Sequence, residues 1–266
     1  ALYPQGMLLF NTRRSGYNVK SFQINYFNAT DYPDDTLPTQ KNTWLSVSGN
    51  KNSGAMYAGR QAQRQVIIQA LRAGIDASAT AREEQNQFNL IATPGYPELI
   101  TNMIALSNER NNTLFVVGDT PLRLDVSGNS LVAWATNNNG LGLETGDGLV
   151  STSNYAAAFY PSCQTNDLSG NTVVAPASHM MIRTILRSDA ASYPWFAPAG
   201  TRRGVVDNAT AIGYIEAATG EFQQLAVGQA VRDILYARNI NPITFIPGVG
   251  ITNFGNKTTT AVTTAL

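Results

Sequence analysis

The chain has 266 residues, with 18 Lys+Arg balanced by 18 Asp+Glu, so it exerts no net electrostatic pull on nucleic acid or on an anionic membrane. Charged residues make up 14% of it, below the roughly one quarter usual for soluble domains. A polar, lightly charged surface of this kind suits broad protein–protein contact, because few charges must be desolvated when it is covered. With one cysteine (Cys163) and one histidine (His179), an intrachain disulfide framework and a Cys/His metal cluster are both excluded.

The length permits one large domain or two smaller ones. No run reaches the roughly 20 apolar residues of a membrane-spanning helix, and Cys163 reads as a buried or half-buried thiol of a protein that matures in a reducing compartment. The chain opens on "ALYPQG", with neither Met nor a charged-then-apolar leader, and ends on "TTTAVTTAL". It is therefore expected to be the core piece of a longer protein.

Taken in order, "GMLLFN" and "VKSFQINYFN" (19–28) have the β-branched, aromatic, alternating character of strands, and a turn-rich stretch follows. From Met56 to Ala73 the period changes: Met56, Arg60, Gln63, Ile67, Ala70 and Leu71 recur at three- and four-residue steps, predicting a helix capped by Gly74. "REEQ" (82–85) reads as a solvated, charged helix end. "FNLIATPG" (88–95), "PELITNMIALSNER" (97–110) and "TLFVVGDTP" (113–121) then spell strand, helix and strand, the parallel crossover unit. "NYAAAFYP" (154–161) predicts a strand, "ASHMMIRTILRS" (177–188) a helix, 189–204 a loop, and Gln229–Arg238 a helix. The expected fold is mixed α/β, a mixed sheet flanked by helices over 86–266. Before it lies a more irregular β-rich region over 1–85 that carries one helix.

Candidate chemistry is sparse. A phosphate-binding loop needs G-x-x-x-x-G-K-[ST], with the lysine directly after the second glycine and a helix opening behind it. In "GVGITNFGNKTT" (248–259), Gly250 and Gly255 have the right spacer, but Asn256 intrudes before Lys257-Thr258, and the Thr-rich sequel is a poor helix former. Asp119, in the position of a magnesium-binding carboxylate, reads instead as a strand-end residue accepting backbone N–H bonds. His179 lies within the predicted helix and reads as a packing or surface residue. Cys163 has no cysteine-hydrolase signature around it, though a Cys–His pair formed in space stays open. No G-x-S-x-G elbow exists. The Arg pairs of "NTRRSG" and "TRRG" are too few for a nucleic-acid groove and are expected to form salt bridges to neighbouring chains. No catalytic, cofactor-binding or metal-binding residue is assigned.

"YPWFAPAGTRRG" (193–204) is different, because prolines hold Tyr193, Trp195 and Phe196 in a segment that would ordinarily be polar. Such aromatics are either tucked onto the core or plugged into a partner.

The ordered series "NLIATPG" (89–95), "VVGDTP" (116–121), "YAAAFYP" (155–161), "APASHMMIRTILRSD" (175–189), "YPWFAPAGTRRG", "LYARNINPI" (235–243) and "GVGITNFGNKT" resembles the tail sheath proteins of contractile-tailed bacteriophages. The resemblance covers roughly residues 86–260. It rests on Pro194, Trp195, Pro198, Ala199, Gly200, Arg203 and Gly204 of one motif, Ile240, Asn241 and Pro242 of a second, and Gly255, Lys257 and Thr258 of a third. It implies a structural subunit without enzymatic activity or cofactor, stacked as hexameric rings in a helical sheath around a tail tube and joined to a baseplate. Contraction of that sheath drives the tube through the host envelope, using energy stored in the packing of subunits. Neither nucleic acid nor membrane is an implied partner. The implied location is the virion, after assembly in the host cytoplasm. Gly118 and the Asn/Gly-rich stretch 136–148 depart from the compact members and suggest a large or divergent phage. The sheath of a contractile bacteriocin or type VI secretion system is the nearest alternative; a phosphate-handling α/β enzyme is the remote one. Because neighbours in this family are tied by terminal extensions, the 266-residue chain is expected to be monomeric alone.

Overall fold

A computed structural model describes residues 58–126, 130–136, 148–149, 151–193, 195–216 and 219–260. The strands expected at 6–11 and 19–28, the stretch 137–147 and Pro194 lie outside these residues. Two compact units divide the chain, Ala1–Ala77 with Ala217–Gly220, and Ser78–Glu216 with Glu221–Leu266.

In the first unit the described element is helix α1, Ala58–Ala77. It runs through Gly74, which has helical rather than left-handed φ, so the expected cap is four residues too early. Among its described side chains Ile68 is buried, while Leu71, counted on the apolar face from spacing, is exposed.

The second unit holds the remaining elements. Helix α2 (Ala79–Arg82) is capped by Ser78, whose Oγ accepts from the Ala81 N–H at 3.1 Å. Strand β1 (Leu90–Ile91), a 3-10 turn at Pro97–Leu99, helix α3 (Ile100–Glu109) and strand β2 (Phe115–Asp119) form the predicted crossover, with β1 and β2 parallel. The chain leaves α3 through two consecutive left-handed asparagines, Asn111 and Asn112 at φ 54° and 59°, a conformation asparagine tolerates better than most side chains. Helix α4 (Ser130–Ala135) follows, and strand β3 (Ala156–Tyr160) lies parallel to β2. Every residue of β3 is buried, as in a central parallel strand covered on both faces.

One residue, Pro161, separates β3 from β4 (Ser162–Asn166), which opens a second sheet. Strand β5 (Thr172–Ala175) pairs antiparallel with β4 across a turn held by Asp167, which accepts from the Ser169 N–H and the Asn171 N–H, each at 2.8 Å. The Asn171 side-chain amide, whose Nδ2 donates to Asp167 Oδ2 at 3.0 Å, contributes most and, with these backbone bonds, holds the Asp167 carboxyl below its ordinary range. Helix α5 (Ala177–Ala191) buries Ala177, Met180, Met181, Thr184 and Ser188, a helical stripe against the parallel sheet. Helix α6 is one turn, Gly200–Arg203, inside the segment expected to be loop. Strands β6 (Ala211–Ile215) and β7 (Phe222–Gln224) complete the second sheet, in the order β5-β4-β6-β7, all antiparallel. Helix α7 (Gln229–Tyr236) leads into β8 (Ile240–Ile246), parallel to β3, and β9 (Gly250–Asn253) returns antiparallel, giving the first sheet the order β1-β2-β3-β8-β9. The architecture is mixed α/β, as the sequence predicts, with a second sheet it did not announce.

Gly118 has a packing reason. A Cβ there would stand 3.0 Å from Ile100 Cδ1 and 3.2 Å from the Ala157 carbonyl, so the bare backbone lets α3 approach the sheet over the small residues of β3. Gly118→Val is expected to destabilise the protein by about 1–3 kcal/mol through overpacking, read as a lower urea midpoint with an unchanged m-value.

Candidate functional site

The three sequence motifs meet in one place. Asn241, in β8, is fully buried and uses its whole amide: Nδ2 donates to the Ala158 carbonyl at 3.2 Å and to the Lys257 carbonyl at 2.7 Å, and Oδ1 accepts from the Lys257 N–H at 2.7 Å. Ile240 and Pro242 flank it in the strand, opposite Ala158 and Tyr160. The Pro242 carbonyl accepts from the Phe254 N–H at 2.8 Å. Gly255 passes so close that a Cβ would lie 2.5 Å from Asn241 Oδ1 and 2.7 Å from its Cα.

Asn253, at the end of β9, makes the second joint. Its Nδ2 donates to the Pro198 carbonyl at 2.8 Å and to the Gly255 carbonyl at 2.9 Å. Its own N–H donates to the Gly204 carbonyl at 2.7 Å, and a Cβ on Gly204 would collide with its carbonyl oxygen at 2.3 Å. Gly200 sits at φ 75°, the left-handed turn that starts α6 after Ala199. Thr258 is buried beyond Lys257, and the next residue, Thr259, donates its N–H to the Ala156 carbonyl at 2.8 Å.

The phosphate-loop resemblance is settled by this geometry. Gly250 is the first residue of strand β9 and Gly255 lies two residues beyond its end, and no helix of the described residues follows. The N–H groups of Gly255 and Lys257 are taken by the side chains of Asn253 and Asn241. Lys257 Nζ donates to the Tyr236 carbonyl at 2.9 Å and lies 4.5 Å from the Tyr236 ring centre. A loop whose amides and lysine are bound within the chain offers no cradle to a phosphate.

The other candidate groups are separated. His179 is exposed on α5, whereas Cys163 is fully buried in β4, its thiol pushed up to about 12 by burial and then by the charge of Asp119. A thiol so held is not a nucleophile at neutral pH. Asp119 does accept backbone N–H bonds, as expected, from Gly95 and Ser178. Among the described residues no cluster of three or more His, Cys, Asp or Glu could hold a metal.

The Pro-Trp segment faces outward. Tyr193 and Trp195 stack at 4.6 Å with ring planes 6° apart, and they are 59% and 74% exposed; Phe196 beside them is 48% exposed. Arg203 fastens this platform, donating to the Ser188 carbonyl at 3.1 Å while its guanidinium lies 5.0 Å over the Phe196 ring. Arg203 thus works within the chain, where sequence reasoning gave it to a neighbour; Arg202 is exposed. Beneath the platform is a nearly apolar hollow of about 190 Å³, lined by Leu90, Phe115, Phe159, Ile185, Trp195 and Phe196 among others. Asn253, which joins the Pro198 and Gly255 segments, was missed: an asparagine in a Gly-rich stretch reads as turn chemistry.

No protein-family profile matches the chain, and no curated protein matches it in sequence. Among solved structures it is similar to the sheath complex of an extracellular contractile injection system (PVC) in the contracted state, at 19% identity and TM-score 0.44, over 65% of this chain and 40% of that one. It is similar also to the baseplate of the anti-feeding prophage, at 15% identity and TM-score 0.42, over 70% of this chain and 44% of that one. The contracted helical sheath of the same prophage matches at 15% identity and TM-score 0.45, over 70% and 45%. The chain spans less than half the length of each of these.

Asn241→Ala is expected to cost about 3 kcal/mol, because it strands one buried donor and two acceptors. Gly204→Ala and Gly255→Ala should each lower the melting temperature as well. By contrast, Gly248→Ala, where a Cβ meets nothing within 4 Å, should incur only the strain of its left-handed φ, and calorimetry of the four variants checks the order.

Proposed function

We propose that this chain is the core of a sheath subunit of a contractile injection machine of the phage-tail kind, a structural part without catalytic chemistry. The observation that supports this reading is the convergence just described. Five of the motif residues that carry the sheath resemblance, Pro198, Gly204, Asn241, Gly255 and Lys257, meet in one hydrogen-bonded knot whose amide and backbone groups bond within the chain. They keep three chain segments in register. In this proposal they are structural residues, and the neighbouring subunits meet surfaces elsewhere.

Those surfaces need apolar area with little charge to desolvate. The exposed Tyr193–Trp195–Phe196 platform supplies it, and we assign it to contact with other subunits. In the proposed machine the remaining partners are the tail tube and the baseplate.

Electron microscopy of the longer protein that contains this chain should show tubes or stacked rings, while sedimentation of the 266-residue chain should show a monomer. Trp195→Ala in the longer protein is expected to leave the folded core within about 1 kcal/mol of the parent, as for an exposed position, while tubes fail to form. ATP turnover that disappears in Lys257→Ala would overturn the reading in favour of a phosphate-handling enzyme.

A further inference from the structure

The carboxylate of Asp119 ends β2 at a junction of three elements, and it is 2% exposed. Its Oδ2 accepts from the Gly95 N–H at 2.9 Å, in the turn after β1, and from the Ser178 hydroxyl at 2.7 Å. Its Oδ1 accepts from the Ser178 N–H at 2.6 Å, in the first turn of α5. Among the described residues no lysine or arginine pairs with it. A full negative charge is therefore shut away from water with dipoles but no cation.

We propose that Asp119 is a proton-operated latch: protonated, it keeps the start of α5 and the turn after β1 in the closed, dry junction; ionised, it favours opening of that junction to water.

The geometry accommodates the proton without rearrangement. Ser178 Oγ either donates to a carboxylate or, with its hydroxyl turned, accepts from Oδ2–H at the same separation. The two backbone N–H donors keep an acceptor oxygen in both states. Ionisation, in contrast, gains stronger hydrogen bonds but bears the whole desolvation of the charge. Burial wins that contest, holding the carboxyl at about 6 against an ordinary 3.8, with the Ser178 and Gly95 bonds pulling the other way.

The surrounding ionisable groups do not take over the role. The turn after β1 carries Tyr96 and Glu98, β3 carries Tyr160, β4 carries Cys163, and α5 carries His179. Burial pushes the Tyr160 hydroxyl and the Cys163 thiol up, so both stay neutral throughout the range of interest. His179, when positive, favours the ionised carboxylate and so works against the latch. In the opened junction the carboxyl is solvated and returns to its ordinary value, so the closed form binds the proton more tightly than the open one. Acid closes the latch and rising pH loosens it.

The test is a titration of the Asp119 carboxyl carbon by NMR between pH 3 and 8, with amide exchange of Gly95 and Ser178 followed over the same range and corrected for intrinsic rates. The carboxyl should titrate near pH 6. The opening equilibrium of both amides should rise about tenfold per pH unit between roughly 4 and 6 and be level above, as linkage requires of a group with those two values. In Asp119→Asn the opening should lose this slope, whatever its absolute size. A carboxyl that titrates below pH 4 in the wild-type chain, or exchange of the two amides without pH dependence, overturns the latch, and neither measurement requires the variant to fold.

Discussion

The buried amide of Asn241 is the joint on which the rest of the second unit depends. It fastens β8 to β3 through the Ala158 carbonyl and fastens the chain after β9 to β8 through both backbone groups of Lys257. Buried polar groups cost free energy unless every donor and acceptor is matched, and here one side chain matches three. Because Asn241 is satisfied only in this arrangement, it fixes the register of β8 and the path of residues 254–258 together. Asn253 repeats the device one strand away, tying in Pro198 and Gly255. Gly204 and Gly255 are glycines because those two asparagines and their backbones occupy the space a Cβ would take.

Seen from this joint, the outward aromatics are held by a stiff base. The Pro198–Gly204 segment is gripped from inside by Asn253, and Arg203 reaches back to α5. Tyr193 stacks on Trp195 and Arg203 lies over Phe196, contacts that order exposed aromatics before a partner arrives and so favour their use as anchors. The platform and the knot are thus two ends of one construction.

Much of the first sheet was legible in the sequence. β2 opens on an apolar run and β3 is one throughout, α3 and α5 keep a helical stripe, and Pro97 marks the start of the crossover helix. The second sheet was not. β4 reads Ser-Cys-Gln-Thr-Asn and β7 reads Phe-Gln-Gln, half-exposed strands with no apolar alternation to count. β8 was hidden by Pro242, which argues against a strand; it is tolerated because it stands opposite Tyr160, where the β3 ladder ends. The motif residues could be named from sequence, but their convergence could not. Asn241 and Lys257 are brought together by a hairpin whose second strand lies in the Gly-rich stretch 248–259, where no strand was expected, and a lysine that caps a carbonyl leaves no periodic trace.

The passage from β3 to β4 through Pro161 alone has a mechanical consequence. The two sheets are covalently in series, with no loop between them to act as slack. A pull along this part of the chain enters β3 lengthwise, and β3 lies between parallel partners on both sides, β2 and β8. Its hydrogen bonds are then loaded together, in shear, instead of being peeled one after another. Within this unit, β3 and its one-residue link to β4 are where such a load meets the most hydrogen bonds at once.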